Sequence, residues 1–343
     1  MHRVTRKSKR KEQSDKPIGL MDPYENYLQI MKKYFVLTLV FFISFSCKQN
    51  TKQQNKEDAL VTYQKVVSEQ YTLYKPKQDT RAVLFLFGGY PETAKDIQRE
   101  FPIVPLARSK KIAVVFSNFN QKLWLEKKEK HSLAEQLQKI VERYDLPKDN
   151  IFIGGFSSGG VVSLFMSEYI VSMKQFYIDP KGVFIVDSPI DLSALHASAK
   201  KNVARNFSNS AVQEGKWILE NLENAFGTPE DSLHNYEKAS VFTYKTRHIS
   251  NVQRLKNTKI RLYTEPDTLW WKTNRMVDYK QTNAFYIKEF SESLKANGFE
   301  NVEYISTSNK GYRANGERHP HSWSIVDKSD LINWILDEKN DSL

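Results

Sequence analysis

Ile151-Phe152-Ile153-Gly154-Gly155-Phe156-Ser157-Ser158-Gly159-Gly160 is the stretch on which the reading of this chain turns. Its first residues are apolar, β-prone and unbroken, as a parallel strand buried on both faces requires. The residues that follow, Val161 through Met173, are mostly apolar over a helix's length. Between them lies Gly155-x-Ser157-x-Gly159, which sets a serine on a tight strand-to-helix turn with glycines where larger side chains would collide. This is the pattern of a nucleophile elbow, and it makes Ser157 the candidate nucleophile.

Outward from the elbow, apolar strand candidates recur in order at residues 82–87, 112–117, 150–154, 182–186, 259–264 and 301–305. Helical patterns fill several gaps, at 132–144, 160–173, 283–297 and 330–338. Strands alternating with helices predict an α/β fold whose mostly parallel sheet is covered on both faces. One gap is too long for a simple crossover. Residues 191–257 hold helical stretches at 211–226 and 231–238 and no convincing strand, so they are expected to form a helical cap above the carboxyl ends of the strands.

A serine nucleophile needs a histidine base, and the base needs a carboxylate to fix its tautomer and stabilise the imidazolium. Downstream of Ser157, strand 259–264 runs into Glu265-Pro266-Asp267, and the last strand candidate is followed by His319-Pro320-His321-Ser322-Trp323. The order serine, acid, histidine resembles the α/β-hydrolase superfamily over residues 82–336. That resemblance implies an acid a few residues past the strand before last, which favours Asp267. Some members carry it after the strand that follows the elbow helix, where Asp187 stands here as the alternative. It also implies that His321, leading toward the final helix, is the base in preference to His319.

Two backbone N–H groups should face the developing oxyanion. The residue after the nucleophile, Ser158, supplies one. The other should come from the end of the first clear strand, Leu86-Phe87-Gly88-Gly89-Tyr90, either from Gly89 or from Tyr90. Trp270, Trp271 and Trp323 flank the proposed acid and base. Aromatic walls of that kind suit acyl groups and sugar rings alike, so a small-molecule or acylated-carbohydrate ester is the expected substrate. A serine peptidase or amidase using the same triad is the alternative, followed by a non-catalytic protein retaining the fold. No cofactor is expected: the two glycines lack the spacing of a dinucleotide or phosphate loop. No metal is expected either, since the lone cysteine and the His319/His321 pair do not make a ligand set.

The chain of 343 residues carries a formal charge of +11, which by itself suggests an acidic partner. Residues 1–46 hold nine Lys/Arg against four Asp/Glu, five of those eleven charges, and the remainder shows no Lys/Arg run interleaved with aromatics. Nucleic acid is therefore not an expected partner. Met31-Lys32-Lys33, the apolar run 34–45, Ser46 and then Cys47 resemble a bacterial lipoprotein signal peptide whose cysteine is acylated. Residues 1–30 read as an over-extended start, 31–46 as the signal, 47–58 as a polar tether, and 59–343 as the catalytic domain. The expected location is the cell envelope, lipid-anchored, with Lys48 after the cysteine implying the outer membrane by resemblance to Gram-negative sorting.

Overall fold

The structure is a computed structural model that describes residues 62–119 and 122–338. The signal segment, Cys47 and the tether lie outside the described residues. The described chain builds one eight-stranded sheet in the order β1-β2-β4-β3-β5-β6-β7-β8. Its strands are Tyr63–Val67, Tyr71–Pro76, Ala82–Phe87, Ile112–Ser117, Ile151–Phe156, Pro180–Val186, Lys259–Thr264 and Val302–Ser306, numbered β1 to β8 in chain order. The last six correspond to the candidates read from sequence, and they pair in parallel. β1 and β2 are an antiparallel edge hairpin that sequence reading passed over. β1 is short and carries Gln64 and Lys65 with most of its residues facing solvent, so it offers no apolar alternation.

The central strands read as continuous apolar runs because both faces are covered. Every residue of β3, β4 and β5 is buried. On one face, helices Ala94–Glu100 (α1), Val104–Ser109 (α2) and, far along the chain, Lys328–Leu336 pack Ile97, Ala107, Leu331 and Ile335 against the sheet. On the other, Lys127–Arg143 (α3), Ser158–Ser172 (α4) and Asn283–Ala296 supply Leu137, Val161, Phe165, Ile287 and Phe290. The connection from β3 to β4 therefore leaves by one face and that from β4 to β5 by the other. β3 and β5 are neighbours, so a crevice opens beyond their carboxyl ends, the place where such sheets take ligands.

Between β6 and β7 stand three helices, Leu192–Arg205 (α5), Asn209–Phe226 (α6) and Pro229–Ala239 (α7). They share a small core of their own in which Leu192 and Ala199 meet Ile218, Leu222 and Tyr236. Asp191 starts α5 by accepting the N–H groups of Ser193 and Ala194, both at 3.0 Å, and its other oxygen takes the Tyr244 N–H at 2.8 Å. Helix Thr268–Arg275 (α8) follows β7 directly, and Asn283–Ala296 and Lys328–Leu336 complete the set as α9 and α10. Among the described residues no helix is long and apolar enough to cross a membrane.

Candidate active site

Ser157 sits between β5 and α4 with φ +52° and ψ −126°, a left-handed backbone that an L side chain adopts only when its surroundings impose it. The imposing geometry is the close passage of backbone around the turn. A Cβ on Gly155 would lie 2.2 Å from the Gly159 carbonyl oxygen, and one on Gly159 would lie 2.2 Å from that of Phe87. Both glycines are thus required for the turn to pack on β3, as the spacing predicts. The Ser157 N–H is held by the Val186 carbonyl at 2.9 Å, which ties the elbow to β6.

The carboxylate that meets His321 is Asp187. Its Oδ2 lies 2.6 Å from His321 Nδ1, while its Oδ1 accepts the Thr264 hydroxyl at 2.9 Å. The Asp187 N–H donates to the Tyr263 carbonyl at 2.9 Å, and its own carbonyl accepts from Asn283 Nδ2 at 2.8 Å. Asp187 is only 4% exposed and adopts φ +45°. β6, β7 and α9 together hold it rigidly, and the His321 ring rests on Phe156 at a centroid distance of 4.4 Å.

The preference for Asp267 does not survive this geometry. Its carboxylate caps α8 through the Trp270 N–H at 2.9 Å and pairs with Arg318 Nη2 at 2.7 Å. Glu265, 2% exposed, meets the same guanidinium nitrogen at 2.5 Å and also accepts from Lys310 N, Gly311 N and Thr307 Oγ1. The two acids after β7 therefore anchor the loop that carries the histidine. The physical reason is reach: Arg318, three residues before His321, takes up Asp267, and Asp187 stands on the neighbouring strand beside the imidazole.

His319, the other histidine of this loop, is turned away from chemistry. Its ring is packed against Trp270 at 4.7 Å and Trp271 at 5.8 Å. Burial, with His321, Arg313 and Arg275 nearby, lowers its pKa to about 3. It stays neutral at any ordinary pH, and among the described residues no carboxylate orients it.

The proposed oxyanion donors also separate. The Gly89 N–H is committed to Glu92 Oε2 at 2.9 Å, and the same oxygen takes the Trp323 indole N–H at 3.1 Å, so Gly89 is not the second donor. Burial raises the pKa of Glu92. The Tyr90 N–H instead points to Ser158 Oγ at 3.0 Å, beside the nucleophile. Ser158 is the first residue of α4, where a backbone N–H has no carbonyl within the helix to bind. Sequence reading missed Thr264, Glu92 and Arg318. Glu92 and Arg318 lie within a few residues of the glycine and histidine motifs, but only the fold shows what they hold.

Ser157, Ser158 and His321 open on one cleft of about 220 Å³ beneath α5 and α6. Its walls mix Trp217, Trp271 and Leu195 with Asn202, Glu214 and Gln281. Tyr90 stacks on Trp217 of α6 at 5.0 Å with an 11° interplanar angle, joining the strand-β3 loop to the three-helix insertion. Among the described residues no group of three or more His, Cys, Asp or Glu is placed to hold a metal ion.

No protein-family model matches the chain, and no curated protein does. Among solved structures, carboxyl esterase 2 of the mycorrhizal fungus Tuber melanosporum is similar at 15% identity over 81% of this chain and 87% of its own, with a TM-score of 0.50. A fluorophosphonate-binding serine hydrolase of Staphylococcus aureus is 16% identical over 80% of this chain and 97% of its own, with a TM-score of 0.45. An esterase of Rhizomucor miehei is 12% identical over 84% and 87%, with a TM-score of 0.49. The strand order, the elbow and the likeness to the Tuber esterase together show the α/β-hydrolase fold.

Proposed function

We propose that this protein is a serine hydrolase that cleaves a carboxylic ester through an acyl-enzyme on Ser157. The observation that carries the reading is the 2.6 Å contact of the buried Asp187 with His321, which opens on the same cleft as Ser157. Ser157 Oγ attacks the ester carbonyl while His321 Nε2 takes its proton, and Asp187 stabilises the imidazolium that results. The oxygen that becomes negative is received by the Ser158 N–H and by the Tyr90 N–H once the latter leaves Ser158 Oγ. Collapse of the tetrahedral intermediate breaks the bond to the alcohol oxygen, to which His321 returns the proton. A water molecule then releases the acid by the same steps in reverse. The fungal esterase that shares the fold supports this chemistry by analogy.

The test is covalent labelling. Wild type should take a fluorophosphonate on Ser157, and Ser157→Ala should lose both the label and turnover of nitrophenyl esters by about 10⁴-fold or more. Labelling that persists in Ser157→Ala would remove the proposal.

The order Met31-Lys32-Lys33, apolar run, Ser46, Cys47 supports a mature chain acylated at Cys47 and held on the cell envelope, with Lys48 favouring the outer membrane. Metabolic labelling with a fatty acid should tag wild type and not Cys47→Ala; equal tagging of the two argues against the anchor.

A further inference from the structure

We infer that the cleft takes an ester formed between a short acyl group and a sugar hydroxyl; this rests on the hydrolase reading and adds the substrate class. Arg205 stands at the end of α5. Its guanidinium donates to Asn202 Oδ1 at 3.1 Å and to Gln281 Oε1 at 2.8 Å. With both amide oxygens occupied, each amide keeps its NH₂ for another partner. Gln281 Nε2 is buried without one, and both residues line the cleft that holds Ser157.

The same cleft is lined by an acceptor, the exposed Glu214 carboxylate, and by the stacked rings of Trp217 and Tyr90. Donors, an acceptor and an aromatic plane in one small space match a polyhydroxylated ring. Each sugar hydroxyl both donates and accepts, and the C–H face of the ring is apolar. A hydrocarbon acyl chain would leave the amide nitrogens facing nothing that pairs them. Size narrows the class further. At about 220 Å³ the cleft is smaller than the roughly 300–1,000 Å³ of pockets for drug-sized ligands, which favours a compact ester over a long-chain one.

The experiment compares three acetates on the full-length protein. They are methyl 6-O-acetyl-glucopyranoside, cyclohexylmethyl acetate, which keeps the ring and lacks the hydroxyls, and 4-nitrophenyl acetate, which reports the hydrolytic machinery alone. Wild type should favour the sugar ester over the cyclohexyl ester by about 100-fold or more in kcat/KM. Gln281→Glu and Asn202→Asp keep the oxygen that Arg205 holds and replace only the donating nitrogen. Those two variants and Glu214→Gln should each lower the ratio of sugar-ester to nitrophenyl-ester kcat/KM by about tenfold, chiefly through KM. Equal turnover of the sugar and cyclohexyl esters, or a ratio that none of the three variants moves, overturns the sugar assignment while nitrophenyl acetate turnover keeps the hydrolase reading intact. If nitrophenyl acetate is also inert and Ser157 takes no fluorophosphonate, the hydrolase reading falls and the substrate class falls with it.

Discussion

Asp187 and Asp267 each follow a sheet strand, and what separates them is the company each carboxylate keeps. One oxygen of Asp187 faces the imidazole and the other is taken by Thr264, whereas Asp267 is shared between a helix start and Arg318. Asp187→Asn should therefore lower turnover by about 10⁴-fold with the fold intact, since an amide can hold His321 in the wrong tautomer. Asp267→Asn removes one contact of a guanidinium that Glu265 still holds, and should cost about tenfold at most. Steady-state kinetics on the pair decide the matter, and a crippled Asp267→Asn beside a near-normal Asp187→Asn would reverse the assignment. The elbow could be read from sequence because its glycines and serine are consecutive and act on one another. The acid could not, because two strands end near carboxylates and the choice depends on the path of a loop more than fifty residues farther on.

At the level of elements, apolar runs of strand length brought out the six parallel strands, and the long amphipathic helices were readable within a few residues of their ends. α5 was not. Its sequence is rich in Ala, Ser and Lys, and it is a helix because Leu192 and Ala199 pack on α6, a contact made only in the folded chain. α4 carries a testable oddity. Glu168, on its outer turn, faces the 3₁₀ turn Ser250–Asn257 and accepts the Arg254 N–H at 2.9 Å. Burial raises its pKa to about 7 against the pull of that N–H and of the charges on Arg254 and Lys130. A carboxyl raised on folding contributes its full stability below the unfolded value, about 4.3. That contribution is lost as pH climbs through 7. Glu168→Gln keeps an acceptor for Arg254 and removes the titration. Between pH 5 and pH 8 wild type should lose on the order of 2 kcal/mol more stability than the variant, read by denaturant unfolding at each pH. Parallel curves for the two proteins would place the titration elsewhere.

Across the whole molecule the site is assembled from the ends of β3, β5 and β6 and from the long segment after β8. The first three are fixed by the sheet. The segment from Thr307 to Ser322 has little regular structure, and a single bridge between Tyr312 and Arg318 spans it. It is fastened instead by Glu265 and Asp267 on Arg318 and, just past His321, by the Trp323 indole on Glu92. Such fastenings can release without disturbing a strand, so His321 belongs to a cooperative unit weaker than the sheet that carries Ser157. On the proposed function, gentle urea should therefore abolish ester hydrolysis well before the far-ultraviolet signal of the helices and sheet declines. Dilution should restore activity at the speed of a loop closing, not of a domain refolding. A protein in this half-released form would still present Ser157 on its rigid turn, correctly shaped and without His321 beside it.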